Sequence, residues 1–292
     1  MTAVLDLRDV YHTVIRDPGS ARVPEDGIGV EFNVACVVDA YSALYHPTEG
    51  PTLYKGRSSG QVVREIILET LRRRAHISLN EALRAGNAKV HRTFVREHSI
   101  PDCASALPGA AFVGIEVAES SPQQIKVLQG SDALAIWRTP QGIDSTPDQA
   151  YLHEEYLNNE FSRALAQNAS AANPTLAAWT DRFADIQSHR NKWSNRPGGY
   201  ATLNGDPAVA KLWRSFTIPL QKPVTVILFS DGFIRFQGNT DRMDLLAPLL
   251  FQRYDKGGLE HILASTRTLE QERAGTSHEE HAEATAIAFE FR

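Results

Sequence analysis

Two cysteines in 292 residues are too few for a disulfide framework, so a reducing compartment is the default and the cytoplasm is the expected location. Cys36 lies in an apolar run, where a free cysteine behaves as a small buried hydrophobe. No run approaches the roughly 18 apolar residues that span a bilayer. The opening residues, Met-Thr-Ala-Val-Leu-Asp-Leu-Arg-Asp, carry charge where a signal peptide needs an apolar core. No membrane partner is expected. Excess positive charge is also missing: 30 Lys and Arg stand against 35 Asp and Glu, a net −5, so no general basic field exists to hold nucleic acid. The cluster Arg72-Arg73-Arg74 reads as a solvated helix face.

Several catalytic signatures are absent as well. There is no Gly-x-Ser-x-Gly elbow, no Walker loop and no dinucleotide fingerprint. His278-Glu-Glu-His281 has i,i+3 spacing beside a predicted strand, not the helical spacing of a zinc protease. The tryptophans Trp137, Trp179, Trp193 and Trp213 read as core or hydrogen-bonded anchors rather than a base-stacking platform.

What is present is a set of short apolar runs: Val34–Val38, Ala111–Val117, Ile125–Leu128, Leu134–Trp137, Val224–Phe229 and Ala284–Phe289. Each reads as a buried strand. The turn-like Glu119-Ser-Ser-Pro122 between two of them predicts a hairpin. Helical periodicity runs through 61–98, with a second helix starting near Asn80-Glu81, and through 150–190 and 241–273, the last broken at Asp255-Lys-Gly-Gly258. Hairpins with helices in pairs between them argue for an α+β fold with antiparallel sheets. No linker, repeat or low-complexity tract divides the chain, so residues 1–292 read as one domain.

Two strands end in an aspartate followed by a turn, Val38-Asp39-Ala40 and Ser230-Asp231-Gly232. A carboxylate at a strand mouth has rigid support behind it and solvent in front, which suits a hard divalent cation. One such residue alone only marks a turn.

In combination with other short elements, the two aspartates resemble the type 2C (PPM, metal-dependent) serine/threonine phosphatases. The match runs in order: Pro24-Glu25-Asp26, Asp39-Ala40-Tyr41-Ser42, Pro108-Gly-Ala-Ala-Phe112, Gly130-Ser131-Asp132, Ser230-Asp231-Gly232 and His281-Ala282-Glu283-Ala284-Thr285. The stretches Asn195–Tyr200 and Leu203–Pro207 are similar to a bacterial subgroup. The resemblance implies a four-layer αββα sandwich, two antiparallel sheets flanked by helices, with two Mn²⁺ or Mg²⁺ ions in a cleft at one end. It implies hydrolysis of phosphoserine or phosphothreonine by a metal-bridging water, with a phosphoprotein substrate or partner kinase in signalling.

Carried over by position, Asp39 would bridge both ions, the Ala40 carbonyl would bind one and Asp231 the other. Glu25 would bind through water, with Asp26 orienting it. Arg22, one place off the family's arginine, would clamp phosphate. The chain also departs from the pattern. Ala282 stands where a metal-binding aspartate is expected, which leaves Glu283 as the nearby carboxylate and one ion weakly held. Ala40 replaces a glycine. Asp132 is displaced by one place, which counts against a third metal. These departures motivate a second expectation, an inactive or weak pseudophosphatase acting as a binding or regulatory module.

Overall fold

The computed structural model describes residues 5–21, 23–46, 53–73, 78–118, 123–273 and 281–292. Arg22, the 119–122 turn and His278 to Glu280 lie outside them.

Ten strands form two antiparallel five-stranded sheets. One has the order β1 (Tyr11–Asp17), β10 (Ala284–Phe291), β9 (Val224–Phe229), β6 (Leu134–Thr139), β7 (Gly142–Ser145). The other runs β2 (Gly27–Glu31), β3 (Val34–Tyr41), β4 (Gly109–Ala118), β5 (Gln124–Gly130), β8 (Arg214–Pro219). All six apolar runs are strands, and β4 and β5 pair across the expected hairpin, Val117 opposite Ile125. The strands β1, β2, β7 and β8 are extra; they sit at sheet edges and are partly exposed, so no continuous apolar run announces them.

Three apolar layers hold the sandwich. Between the sheets, Val37, Val113 and Val127 meet Val226, Leu228 and Ile287. Outside one sheet, α1 (Ser59–Arg73) and α2 (Leu79–His91) bury Ile67, Leu71 and Leu83 against Cys36 and Val38. Outside the other, α5 (Met243–Glu272) buries Leu246, Leu250 and Ile262 against Ile227 and Phe229. Alternation of strand side chains lets each strand serve two layers. The helix α2 begins at Leu79, one residue before Asn80-Glu81, because Ser78 caps it: its Oγ accepts from Glu81 N–H while Glu81 Oε2 accepts from Ser78 N–H, a capping box. The break in α5 falls at Gly257 and Gly258, the latter at φ 67°, a conformation cheap only for glycine.

The long α3 (Tyr151–Gln167) and α4 (Pro174–Trp193) pack on each other and bury little, only His153, Ala164 and Ala178. Both cysteines are free, and burial pushes the Cys36 thiol up to about 12. Among the described residues no helix is long and apolar enough to cross a membrane.

Candidate metal centre

Asp39 is the sixth residue of β3 and Asp231 lies two residues past the end of β9, so the two sheets present these carboxyls from opposite walls. The walls meet at one rim. The Asp39 side chain lies in hydrogen-bond contact with those of both Asp231 and Asp26. The junction is tied by Ser230 and Thr285: Ser230 N–H donates to Thr285 O at 2.9 Å, and Thr285 N–H donates to Ser230 Oγ at 3.0 Å. Gly232 is required there, because a Cβ would overlap the Glu283 carbonyl. The strand-end turn at Asp231 is therefore pressed against the start of β10.

Two further acids join the floor. Oxygens of Asp132, Glu154 and Asp231 all lie within 4.8 Å of one another. Asp132 follows Ser131, whose φ is 64°. This left-handed residue re-aims the chain, and it explains how an aspartate one place out of order still reaches the cleft. Although displaced by one place, Asp132 thus lies beside Glu154 and Asp231. Glu154 comes from α3, where nothing in the sequence distinguishes it from Glu155; only the tertiary approach of α3 does. Behind it, Asp148 accepts Thr240 Oγ1–H at 2.6 Å and the N–H groups of Ala150 and Tyr151, fixing the start of that helix.

The electrostatics are those of like charges crowded together. Burial and then the Glu283 charge raise the Asp26 carboxyl to about 7. Burial and Asp132 raise Asp231 to about 6, although its side chain opens to the cleft. Burial, Asp26 and Asp231 hold Asp39 well above the usual range. Glu154 is also held well above it by burial and Asp132. Desolvation and repulsion both penalise ionised carboxyls, so the cleft either keeps protons or takes cations. One further observation fits a cation: Asp26 Oδ2 is buried and has no hydrogen-bond partner, which is rare for a satisfied interior. All-oxygen donors of this kind suit Mg²⁺ or Mn²⁺.

The remaining expected residues have specific places. Ala40 lines the same cleft and sits within β3 opposite Ala110. It keeps a negative φ, so the missing glycine imposes no strain on its carbonyl. Glu25 accepts Ser42 Oγ–H at 2.6 Å on Oε1, and Ser58 Oγ–H on the same atom. Its carboxyl rests against Gly60, where a Cβ would collide with it, at the start of α1, whose dipole favours negative charge. Glu283 turns its carboxylate to the backbone, with Oε2 accepting Glu25 N–H at 2.8 Å and Oε1 accepting Asp26 N–H at 2.9 Å. Its oxygens thus hold the Glu25-Asp26 turn, while the residue lines the same cleft. Ala282 lines the cleft, its Cβ facing Gly232.

No family model matches this sequence, and no curated protein does either. Solved structures do match. The catalytic domain of the serine/threonine protein phosphatase PstP, solved with two manganese ions, aligns at TM-score 0.57 and 12% identity over 97% of this chain and 99% of that one. The PPM phosphatase MsPP of Mycobacterium smegmatis aligns at 0.56 and 14% identity over 97% and 98%. Stp1 of Staphylococcus aureus gives 0.55 and 15% over 97% and 95%. This chain therefore has, end to end, the fold of the bacterial PPM serine/threonine phosphatases.

Proposed function

We propose that the cleft hydrolyses phosphoserine and phosphothreonine in proteins with Mn²⁺ or Mg²⁺, as one phosphatase-like domain running the length of the chain. The observation that carries this reading is the contact of Asp39 with Asp231, brought from separate sheets to one rim. Asp39, lying against both Asp26 and Asp231, would supply carboxylate oxygens to the cations, with the Ala40 carbonyl beside it. Asp231, Asp132 and Glu154 form a second donor set. Glu283 positions Glu25 and Asp26 by clamping their backbone. Burial and the Glu283 charge raise the Asp26 carboxyl to about 7, so it keeps a proton near neutral pH in the metal-free cleft. When bound, the cations supply Lewis acidity toward the phosphoryl group and an acidified water, so no covalent enzyme intermediate is needed. A cytoplasmic phosphoprotein or kinase is the partner this chemistry fits.

The test is hydrolysis of p-nitrophenyl phosphate and of a phosphoserine peptide. Turnover should require Mn²⁺ and fall at least about 100-fold in Asp39→Asn or Asp231→Asn, since ligand loss exceeds the loss of an outer partner. No turnover at millimolar Mn²⁺ rejects the enzyme reading.

A second reading, a pseudophosphatase that binds phosphoproteins without turning them over, is favoured by Ala282, which offers the cleft a methyl where a carboxylate is expected. Calorimetry that finds two tightly held manganese ions counts against it.

A further inference from the structure

The turn that carries Glu25 and Asp26 is held from two sides by opposite charges. Glu283, just before β10, takes the N–H groups of Glu25 and Asp26. Arg64, on α1, takes carbonyls: its Nη1 donates to Pro24 O at 2.9 Å and to Asp26 O at 3.2 Å. Among the described residues these are the side chain's only hydrogen bonds, so the guanidinium is committed to the turn rather than to a carboxylate. The peptide unit between Pro24 and Glu25 therefore has its carbonyl on a cation and its N–H on an anion, the alignment its dipole favours.

Local structure explains why Arg64 reaches this place. Ser58 and Gln61 cap α1 reciprocally: Gln61 N–H donates to Ser58 Oγ at 3.1 Å, and Ser58 N–H donates to Gln61 Oε1 at 3.2 Å, a capping box. With Oε1 so fixed, Gln61 Nε2 donates to the same Pro24 carbonyl at 3.3 Å. Arg64 lies three residues further on, on the same face of the helix. Its stem crosses Gly27, where an added Cβ would stand 2.8 Å from Arg64 Cδ, so the residue after Asp26 has no side chain to push the arginine away. Burial raises the Glu283 carboxyl above its ordinary value, while the two N–H groups and the Arg64 charge work against that rise. Resting on the phosphatase reading, we infer that Arg64 is a positioning residue of the metal centre: with Glu283 it grips the Glu25-Asp26 backbone from both sides and so sets where the Asp26 carboxyl stands against Asp39. A turn gripped on one side only is free to tilt, and a donor about an ångström out of place holds its ion poorly.

The test is calorimetry of Mn²⁺ binding to wild type, Arg64→Met, Arg64→Lys, Glu283→Gln and the double variant of Arg64→Met with Glu283→Gln. Arg64→Met keeps the stem but loses the donors, and should weaken Mn²⁺ about tenfold, the low end for loss of a supporting partner. Arg64→Lys retains charge and a donor and should recover part of that loss. The double variant should lose less than the product of the two single losses, since either removal already frees the turn. Turnover of p-nitrophenyl phosphate by Arg64→Met should fall at limiting Mn²⁺ and return at excess Mn²⁺ with KM unchanged, a split that general loss of stability does not give. In the metal-free protein, hydrogen exchange of the Glu25 and Asp26 amides should quicken about tenfold in Arg64→Met. Mn²⁺ affinity within about twofold of wild type overturns the inference even if the thermal midpoint falls, because Arg64 then serves the fold alone. Single losses that simply multiply in the double variant overturn it too, because the two grips are then independent. If the wild type binds Mn²⁺ but turns nothing over, the phosphatase reading falls and the affinities still decide. If it binds none, amide exchange decides: quickened exchange in Arg64→Met supports the grip on the turn, and unchanged exchange overturns it.

Discussion

At the scale of single residues, the cleft wall at Ala282 is the most informative position. Its N–H donates to Glu270 Oε1 at 3.0 Å and its carbonyl accepts from Arg267 at 2.8 Å, so the backbone is held on both sides while the methyl faces the cleft. A carboxylate there would join Asp231 without disturbing those bonds. Ala282→Asp should therefore bind Mn²⁺ about tenfold more tightly, the low end of what a supporting ligand contributes, as read by calorimetry at constant pH. Unchanged affinity would mean that Asp132 and Glu154 already complete the ion's donors. The same scale shows what the sequence could and could not reveal. Asp39 and Asp231 are legible because each ends an apolar run. Glu283 is legible as an acid but not as a clamp, because its partners are backbone N–H groups 258 and 257 positions away. Glu154 is illegible, since its environment is made by tertiary packing alone.

At the scale of elements, α5 is fastened to the start of β10 by one buried carboxylate. Glu270 Oε2 accepts from Arg267 at 2.6 Å and meets His281 Nδ1 at 3.0 Å, and Oε1 holds the Ala282 N–H. Arg267 in turn reaches Asp17 at 3.1 Å on β1. Burial alone would raise the Glu270 carboxyl, but the Ala282 N–H, Arg267 and His281 together hold it below the ordinary value. A depressed carboxyl stabilises the fold above its unfolded pKa and loses that contribution as pH falls through its folded value. Glu270→Gln should thus destabilise the protein by about 3 kcal/mol at neutral pH, as expected when a buried pair loses one partner. The difference from wild type should shrink as pH falls through the lowered folded value of the carboxyl, because both forms are then neutral. Denaturant unfolding at two pH values measures it, and a pH-independent difference would show that shape, not charge, is what Glu270 contributes. Elements were legible where apolar runs or caps announced them. The edge strands β1, β2, β7 and β8 were not, because partly exposed strands mix polar and apolar residues.

At the scale of the whole molecule, the fold holds together what the charges of its carboxyls would drive apart. In the metal-free protein, burial and mutual repulsion place Asp26 at about 7 and Asp231 at about 6, whereas in the unfolded chain both ionise near 4. Raised folded values mean that the folded state keeps protons the unfolded state has released. The contribution of these two carboxyls to stability is therefore greatest below about pH 4, declines as pH rises from there to about 7, and stays low above that. Divalent cations reverse the penalty, because they take the place of those protons. The thermal midpoint of the metal-free protein should accordingly be lower at about pH 8 than at about pH 5. Manganese at a hundred times its dissociation constant should raise it by roughly 5–10 °C at the higher pH, following about 2.7 kcal/mol of ligand linkage. The rise should be smaller at the lower pH, where protons compete, and calorimetry in two buffers of different ionisation heat should detect proton release on binding. Asp26→Asn should flatten the metal-free pH dependence, since it removes the group with the higher of the two values. A midpoint that ignores pH and manganese alike would mean that these carboxyls are spared one another's charge in solution, and that the rim does not gather them as described.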